Sequence, residues 1–186
     1  MADDIPALVA DLSSKDDVIR KSALDRLMAL TETSVNWIYD HLEPLCGKFE
    51  SDNSYQRSIG AMLIANLAKS DTQGRLERVV SRFVDQMNDE KFITARITLQ
   101  HAWRFGTANA IYAKVISEGL NTSLTTNPHL ATHGNLIRLD AVTSLREILR
   151  VYPDAVNIEA VHAAITESCD AKEATKLTAM LQAGRG

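Results

Sequence analysis

The chain has 186 residues, a mass of 20.5 kDa and a formal net charge of -4, from 20 basic and 24 acidic side chains. Hydrophobic residues make up 45% and charged residues 24%, too apolar for a disordered chain and ordinary for a folded one. Only 8 glycines and 4 prolines punctuate it, too few for the tight turns of an all-β fold, and the excess of acid disfavours nonspecific nucleic-acid binding, which needs a basic footprint.

From the start, Met1-Ala2-Asp3-Asp4 lacks the basic-then-apolar order of a secretory signal, and no run reaches the apolar length of a membrane span. A cytoplasmic protein without membrane contact is therefore expected. Helical periodicity dominates, and helices are predicted over about 5–12, 16–31, 34–49, 54–69, 74–88, 90–105, 107–119, 134–151, 156–168 and 170–183. In the second, Val18, Ile19, Ala23, Leu24, Leu27 and Leu30 line one face. Pro44 is expected to kink or split the third, because it removes a backbone donor. In the fifth, Leu76, Val79, Val80, Phe83, Val84 and Met87 share a face, with Arg75, Arg78, Arg82 and Asp85 opposite. Asp16, Asn53, Asp89 and Asn135 stand where N-caps belong, and Gly47, Gly106, Gly119 and Gly134 near helix ends. The stretch from Asn121 to Gly134, rich in Thr and Asn, reads as a loop.

The helices pair, and the pairs repeat. Arg20, Arg57, Arg96 and Arg138 align. Three residues later stand Ala23, Gly60, Leu99 and Ala141; seven later, Leu27, Ile64, Trp103 and Leu145. A period near 40 residues built from two helices is a solenoid signature. The repeats fall at approximately 16–51, 52–88, 89–120 and 134–169, with terminal helices 5–12 and 170–183, in a single domain 1–186. The shared register places Trp103 in the interior, where its loss as Ala would cost about 3–5 kcal/mol.

The segments Asp17-Val18-Ile19-Arg20-Lys21-Ser22-Ala23-Leu24 and Leu136-Ile137-Arg138-Leu139-Asp140-Ala141 resemble the first helix of HEAT repeats. Asp52-Asn53-Ser54-Tyr55-Gln56-Arg57 and Asp89-Glu90-Lys91-Phe92-Ile93-Thr94-Ala95-Arg96 are similar to stretches of small bacterial HEAT-like proteins. The resemblance implies an all-α fold: a short right-handed superhelix of the HEAT/armadillo type, with about four helix pairs. It also implies that each motif arginine bonds a polar residue in the loop before it: Asp16 or Asp17 for Arg20, Asp52 or Asn53 for Arg57, Asp89 for Arg96 and Asn135 for Arg138. Gln56 and Gln100 depart from the pattern, where apolar residues are usual. The motifs are structural, so no catalytic residue is carried over.

Chemistry-bearing motifs are sparse. His129 and His133 have a metal-ligand spacing if helical, but their Thr, Asn and Pro neighbours suggest a loop, with only Asp140 near enough to offer a third ligand. His41, His101 and His162 share no acid or cysteine motif. Cys46 and Cys169 form no C-x-x-C and read as reduced, buried thiols. Neither a glycine-rich phosphate loop nor a nucleophile elbow is present. Trp37 and Tyr39 are either packing residues or an exposed pair in a binding groove. No cofactor, metal or enzymatic activity is expected.

Charge is uneven: net -5 over residues 1–50, +2 over 51–106 and -1 over 107–186. In a solenoid the second helices of successive repeats line the concave side. Aligning them puts Lys48, Arg78, Arg82 and Lys114 in a row, with Arg75 nearby. The expected function is a noncatalytic scaffold that holds a protein or acidic peptide in this groove. Two alternatives stay open: a nucleic-acid binder of the DNA-glycosylase-like HEAT kind, and a lyase-type accessory protein for a prosthetic group, which needs a reactive thiol or pocket.

Overall fold

The computed structural model describes residues 3–184; residues 1–2 and 185–186, the ends of the expected domain, lie outside the described residues. Among the described residues ten α-helices run in chain order: α1 (Ile5–Asp11), α2 (Asp17–Leu30), α3 (Ile38–Cys46), α4 (Ser54–Leu67), α5 (Val80–Gln86), α6 (Phe92–Gly106), α7 (Ala110–Thr126), α8 (Leu130–Val151), α9 (Ile158–Ser168) and α10 (Ala171–Gln182). The described residues contain no strand. Short polar side chains start many of these helices by accepting an otherwise unpaired backbone N–H. Asp16 caps α2 through the Val18 N–H (2.8 Å) and Asn53 caps α4 through the Tyr55 N–H (2.9 Å). Asn109 and Asp170 do the same for α7 and α10.

The helices stack in two rows. The first row is α2, α4, α6, α8 and α10, each packed on the next. The second is α3 with the turn after it, then α5, α7 and α9. Each second-row helix also packs on the first-row helix that follows it: α3 on α4, α5 on α6, α7 on α8 and α9 on α10. No helix pair buries its apolar face alone; neighbours close it, and one continuous core runs from Val9 to Leu181. Its centre is aromatic. Phe83, Phe105 and Tyr112 are fully buried, with Phe105 5.0 Å from each of the other two ring centroids.

Several boundaries differ from the expectation, each for a local reason. The third helix starts at Ile38 rather than residue 34, and it passes into a 3-10 turn, Gly47–Glu50, soon after Pro44. The fifth divides into a 3-10 turn, Arg75–Arg78, and α5. Val79, with φ -110°, stands between the two, and Gly74 leads into the turn with φ +69°, in the left-handed region. The expected loop from Asn121 to Gly134 is mostly helix. Thr122 and Thr126 return their hydroxyls to the carbonyls of Glu118 and Thr122, and Ser123 to Gly119, while Leu120 and Leu124 are buried. Only 127–129 interrupt α7 and α8, and α8 kinks at His133. Asn135 lies inside α8 and caps nothing, and Lys91 rather than Asp89 stands at the N-cap of α6.

Trp103 is a correction of a different kind. It is half-buried at the margin of the core, with the Arg104 guanidinium 4.7 Å from its ring centroid. The aligned Leu27, Ile64 and Leu145 are buried as expected; in this repeat Phe105 carries the interior volume.

Candidate peptide-binding surface

Three of the four motif arginines tie the first row together through ion pairs. Arg57 donates through Nε and Nη2 to the Asp89 carboxylate (2.7 and 2.9 Å), Arg96 to Asp140 (2.7 and 3.2 Å) and Arg138 to Glu173 (3.0 and 2.9 Å). Each carboxylate comes from the following repeat or the terminal helix, so these bidentate pairs staple neighbouring repeats. The local partners expected for Arg96 and Arg138, Asp89 and Asn135, are not used. Arg57 does reach back as well, to the Ser51 and Asp52 carbonyls. Arg20 is the exception, paired with Asp17 in its own helix and lying over the Tyr55 ring of the next repeat. The off-pattern Gln100 joins the ladder by donating to Asp140 (3.2 Å).

The five cations expected in a groove separate on inspection. Lys48 is 8% exposed and does not belong to an open row; its ammonium donates to Ser13 (3.2 Å) and Gln56. Arg78 pairs with Glu43, and Arg82 with Glu50 (3.1 Å), across the α3–α5 junction. Arg75 lies 4.8 Å from the Tyr39 ring centroid. Lys114 is exposed on α7, at the mouth of a 570 Å³ cleft between α7 and the 154–161 segment. Two residues lining that cleft each carry a buried polar atom without a partner among the described residues: the hydroxyl of Ser117, a residue 3% exposed, and Oδ1 of Asn121. Glu118 and Asp154 stand on its rim.

A polar centre that sequence reasoning missed lies beside this surface. The Asp71 carboxylate, 9% exposed, accepts from the Tyr39 hydroxyl (2.9 Å), the Tyr112 hydroxyl (2.7 Å) and the N–H groups of Arg75 (3.0 Å) and Leu76 (2.7 Å). Its partners lie up to 41 residues away in the chain, with no local signal to join them. Burial works to raise the Asp71 pKa, but the bonds from Leu76, Tyr112, Tyr39 and Arg75 outweigh it and hold the carboxyl below its ordinary value. Asp71→Asn replaces one acceptor oxygen by a donor facing another donor. It should lower the unfolding free energy by about 1–3 kcal/mol in urea titrations at neutral pH. The carboxylate's contribution is complete above its unfolded value of about 3.9 and is lost as pH falls through the lower folded value, so the gap between native and variant should close in acid. An unchanged gap at low pH would remove this role.

The remaining candidates are packing groups. Tyr39 is held by Asp71, and Trp37 meets His41 edge-on against the core. His129 donates through Nε2 to the Asp89 carbonyl (2.8 Å) and His133 stacks on Phe92 at 4.0 Å. Among the described residues, no group of three His, Cys, Asp or Glu side chains is placed to hold a metal ion. Burial pushes the Cys46 thiol up to about 11, and Cys169 is also raised by burial, the opposite of an activated thiol. No helix of the described residues is long and apolar enough to cross a membrane.

Neither a protein-family model nor a curated protein matches the chain. Solved structures do. A designed armadillo repeat protein in complex with the peptide (KR)4 superposes with a TM-score of 0.66 at 18% identity, covering 98% of this chain and 82% of that one. A second designed armadillo repeat protein gives 0.61 at 16% identity over 97% and 82% of the two chains, and an engineered protein gives 0.63 at 16% over 98% and 81%. The chain has a HEAT/armadillo-like repeat fold.

Proposed function

We propose that the chain is a noncatalytic scaffold that holds a peptide or protein segment along its second-helix row. The carrying observation is the 570 Å³ cleft between α7 and the 154–161 segment, on the second-helix row, with the exposed Lys114 at its mouth. The armadillo neighbour in complex with a peptide supports the same use of the fold.

That neighbour's peptide is basic, whereas the charge here favours an acidic one. Lys114 and Arg75 have no carboxylate partner among the described residues, and Arg78 and Arg82 are engaged only in exposed pairs. Exposed pairs are worth about 0–1 kcal/mol, so an acidic segment exchanges for Glu43 and Glu50 at little cost. Lys48 is not part of this surface. A duplex phosphate backbone fits less well, since Glu43, Glu50, Glu118 and Asp154 interrupt the cations.

The test is fluorescence anisotropy with labelled acidic and basic peptides at low ionic strength. The acidic peptide should bind and weaken about tenfold when Arg78, Arg82 and Lys114 are reversed to Glu together. Equal binding of both peptides, or no effect of the reversal, would overturn the charge assignment.

A further inference from the structure

A second cleft, of 420 Å³, lies at the opposite edge of the molecule's first repeat, where the α1–α2 connection faces the start of α4. Its defining group is Lys48. A lysine only 8% exposed ordinarily has a carboxylate beside it, because burying an unpaired charge is expensive. Here both of its partners, Ser13 and Gln56, are neutral. Burial accordingly pulls its pKa down.

The surroundings have been shaped to admit this lysine. Gly60 on α4 lets its stem pass: a Cβ there would lie 3.0 Å from the Lys48 Cβ. Gln56 is locked in place by donating to the Leu12 carbonyl (2.8 Å), which turns its own amide oxygen toward the ammonium. This is why an apolar repeat position carries a glutamine.

The rest of the lining adds positive charge and donors. Lys15 is exposed at the rim, and Arg20 contributes a second, half-buried cation. No lining residue is an acid. The two acids that follow Lys15 in the chain are already engaged, Asp17 with Arg20 and Asp16 with the N–H groups that begin α2. The Ser14 hydroxyl accepts from the Asp16 N–H (3.1 Å) and the Ser51 hydroxyl from the Asn53 N–H (3.2 Å), so each keeps an O–H to donate. Gly47, with nothing within 4 Å of where its Cβ would be, leaves the entrance open.

The position is also the one gap in the arginine ladder. Along the first row a carboxylate crosses between repeats at the next three junctions; at this first one Arg20 meets the next repeat only at the Tyr55 ring. We propose that this cleft binds a phosphate group, held by the Lys48 ammonium, Lys15 and the Ser13, Ser14 and Ser51 hydroxyls, and that the bound anion bridges the first two repeats. The chemistry is that of a tetrahedral oxyanion recognised by charge-assisted hydrogen bonds from several sides.

The experiment is isothermal titration of the full chain with inorganic phosphate and, separately, with a phosphoserine peptide blocked at both ends. Amide hydrogen exchange is measured with and without each. Saturable one-to-one binding is expected, with added protection of the α1–α2 amides, because ligand binding to the folded state stabilises the elements it joins. The tighter of the two probes identifies the source of the phosphate, a free anion or a partner's side chain. Lys48→Met should weaken binding about tenfold or more. Lys15→Ala, at an exposed position where folding is not at issue, should weaken it by a smaller factor. No saturable binding of either probe, or undiminished binding by folded Lys48→Met, would overturn the site.

Discussion

Arg57→Ala should cost about 3–5 kcal/mol of unfolding free energy, a large share of the stability of a domain this size. Arg57 and Asp89 are 11% and 5% exposed, so the pair is shielded from water. Truncation leaves Asp89 buried with the Lys91 N–H as its remaining hydrogen-bond donor. The loss therefore reflects an uncompensated charge more than the worth of the pair itself. Replacing both partners by apolar residues, Arg57→Met with Asp89→Leu, should recover most of it, since no charge is then left behind. Arg78→Ala, from an exposed pair, should cost about 0–1 kcal/mol and calibrates the comparison.

The same pair predicts a pH dependence. Burial acts to raise the Asp89 carboxyl, but Arg57 and the Lys91 N–H outweigh it and leave the pKa below the ordinary carboxylate value. A depressed acid contributes fully above its unfolded pKa of about 3.9, and the contribution disappears as pH falls through the folded value. Chemical denaturation of native chain and Arg57→Ala should thus converge below about pH 4. A gap of constant size would mean that the guanidinium stabilises through packing rather than charge.

Phe105→Ala should cost about 3–5 kcal/mol, and Trp103→Ala clearly less, although tryptophan is the larger side chain. Phe105 has no exposed surface and sits between Phe83 and Tyr112, so its removal opens a cavity that the stacked rings cannot fill. Trp103 borders solvent beneath Arg104, where water replaces what is lost. The measurement is the urea midpoint of each variant at equal slope. A Trp103→Ala loss as large as that of Phe105→Ala would return the tryptophan to the interior.

The helix pairs and the arginine register were legible because both follow from periodicity within about 40 residues. Leu27, Ile64 and Leu145 fell inside as their spacing requires. The partners of the arginines were not legible, because Asp140 lies 44 residues beyond Arg96 and reaches it through packing of α6 on α8. Composition misled at Asn121 to Gly134: threonine and serine hydroxyls that favour turns can equally return to the carbonyl four residues back and stay helical. Lys48 was misplaced by geometry. Continuing a 3.6-residue helix through position 48 points it outward with Arg82, but Gly60 on α4 leaves room for its stem, and Ser13 and Gln56 accept from its ammonium on the inner side. Gln56 and Gln100 looked like faults in the repeat and instead serve charged partners, Lys48 and Asp140.

The uneven spacing of carboxylate staples has a mechanical corollary. From Arg57 onward every first-row layer is clasped to its successor by a shielded bidentate pair, while the amino-terminal hairpin is fastened by packing, hydrogen bonds from Gln56 and Lys48, the exposed Arg78–Glu43 and Arg82–Glu50 pairs and a cation over a ring. Under heat or pulling force the array should unzip from that end, the first layer peeling away while the remainder holds, so that the molecule comes apart in two stages rather than at a single threshold.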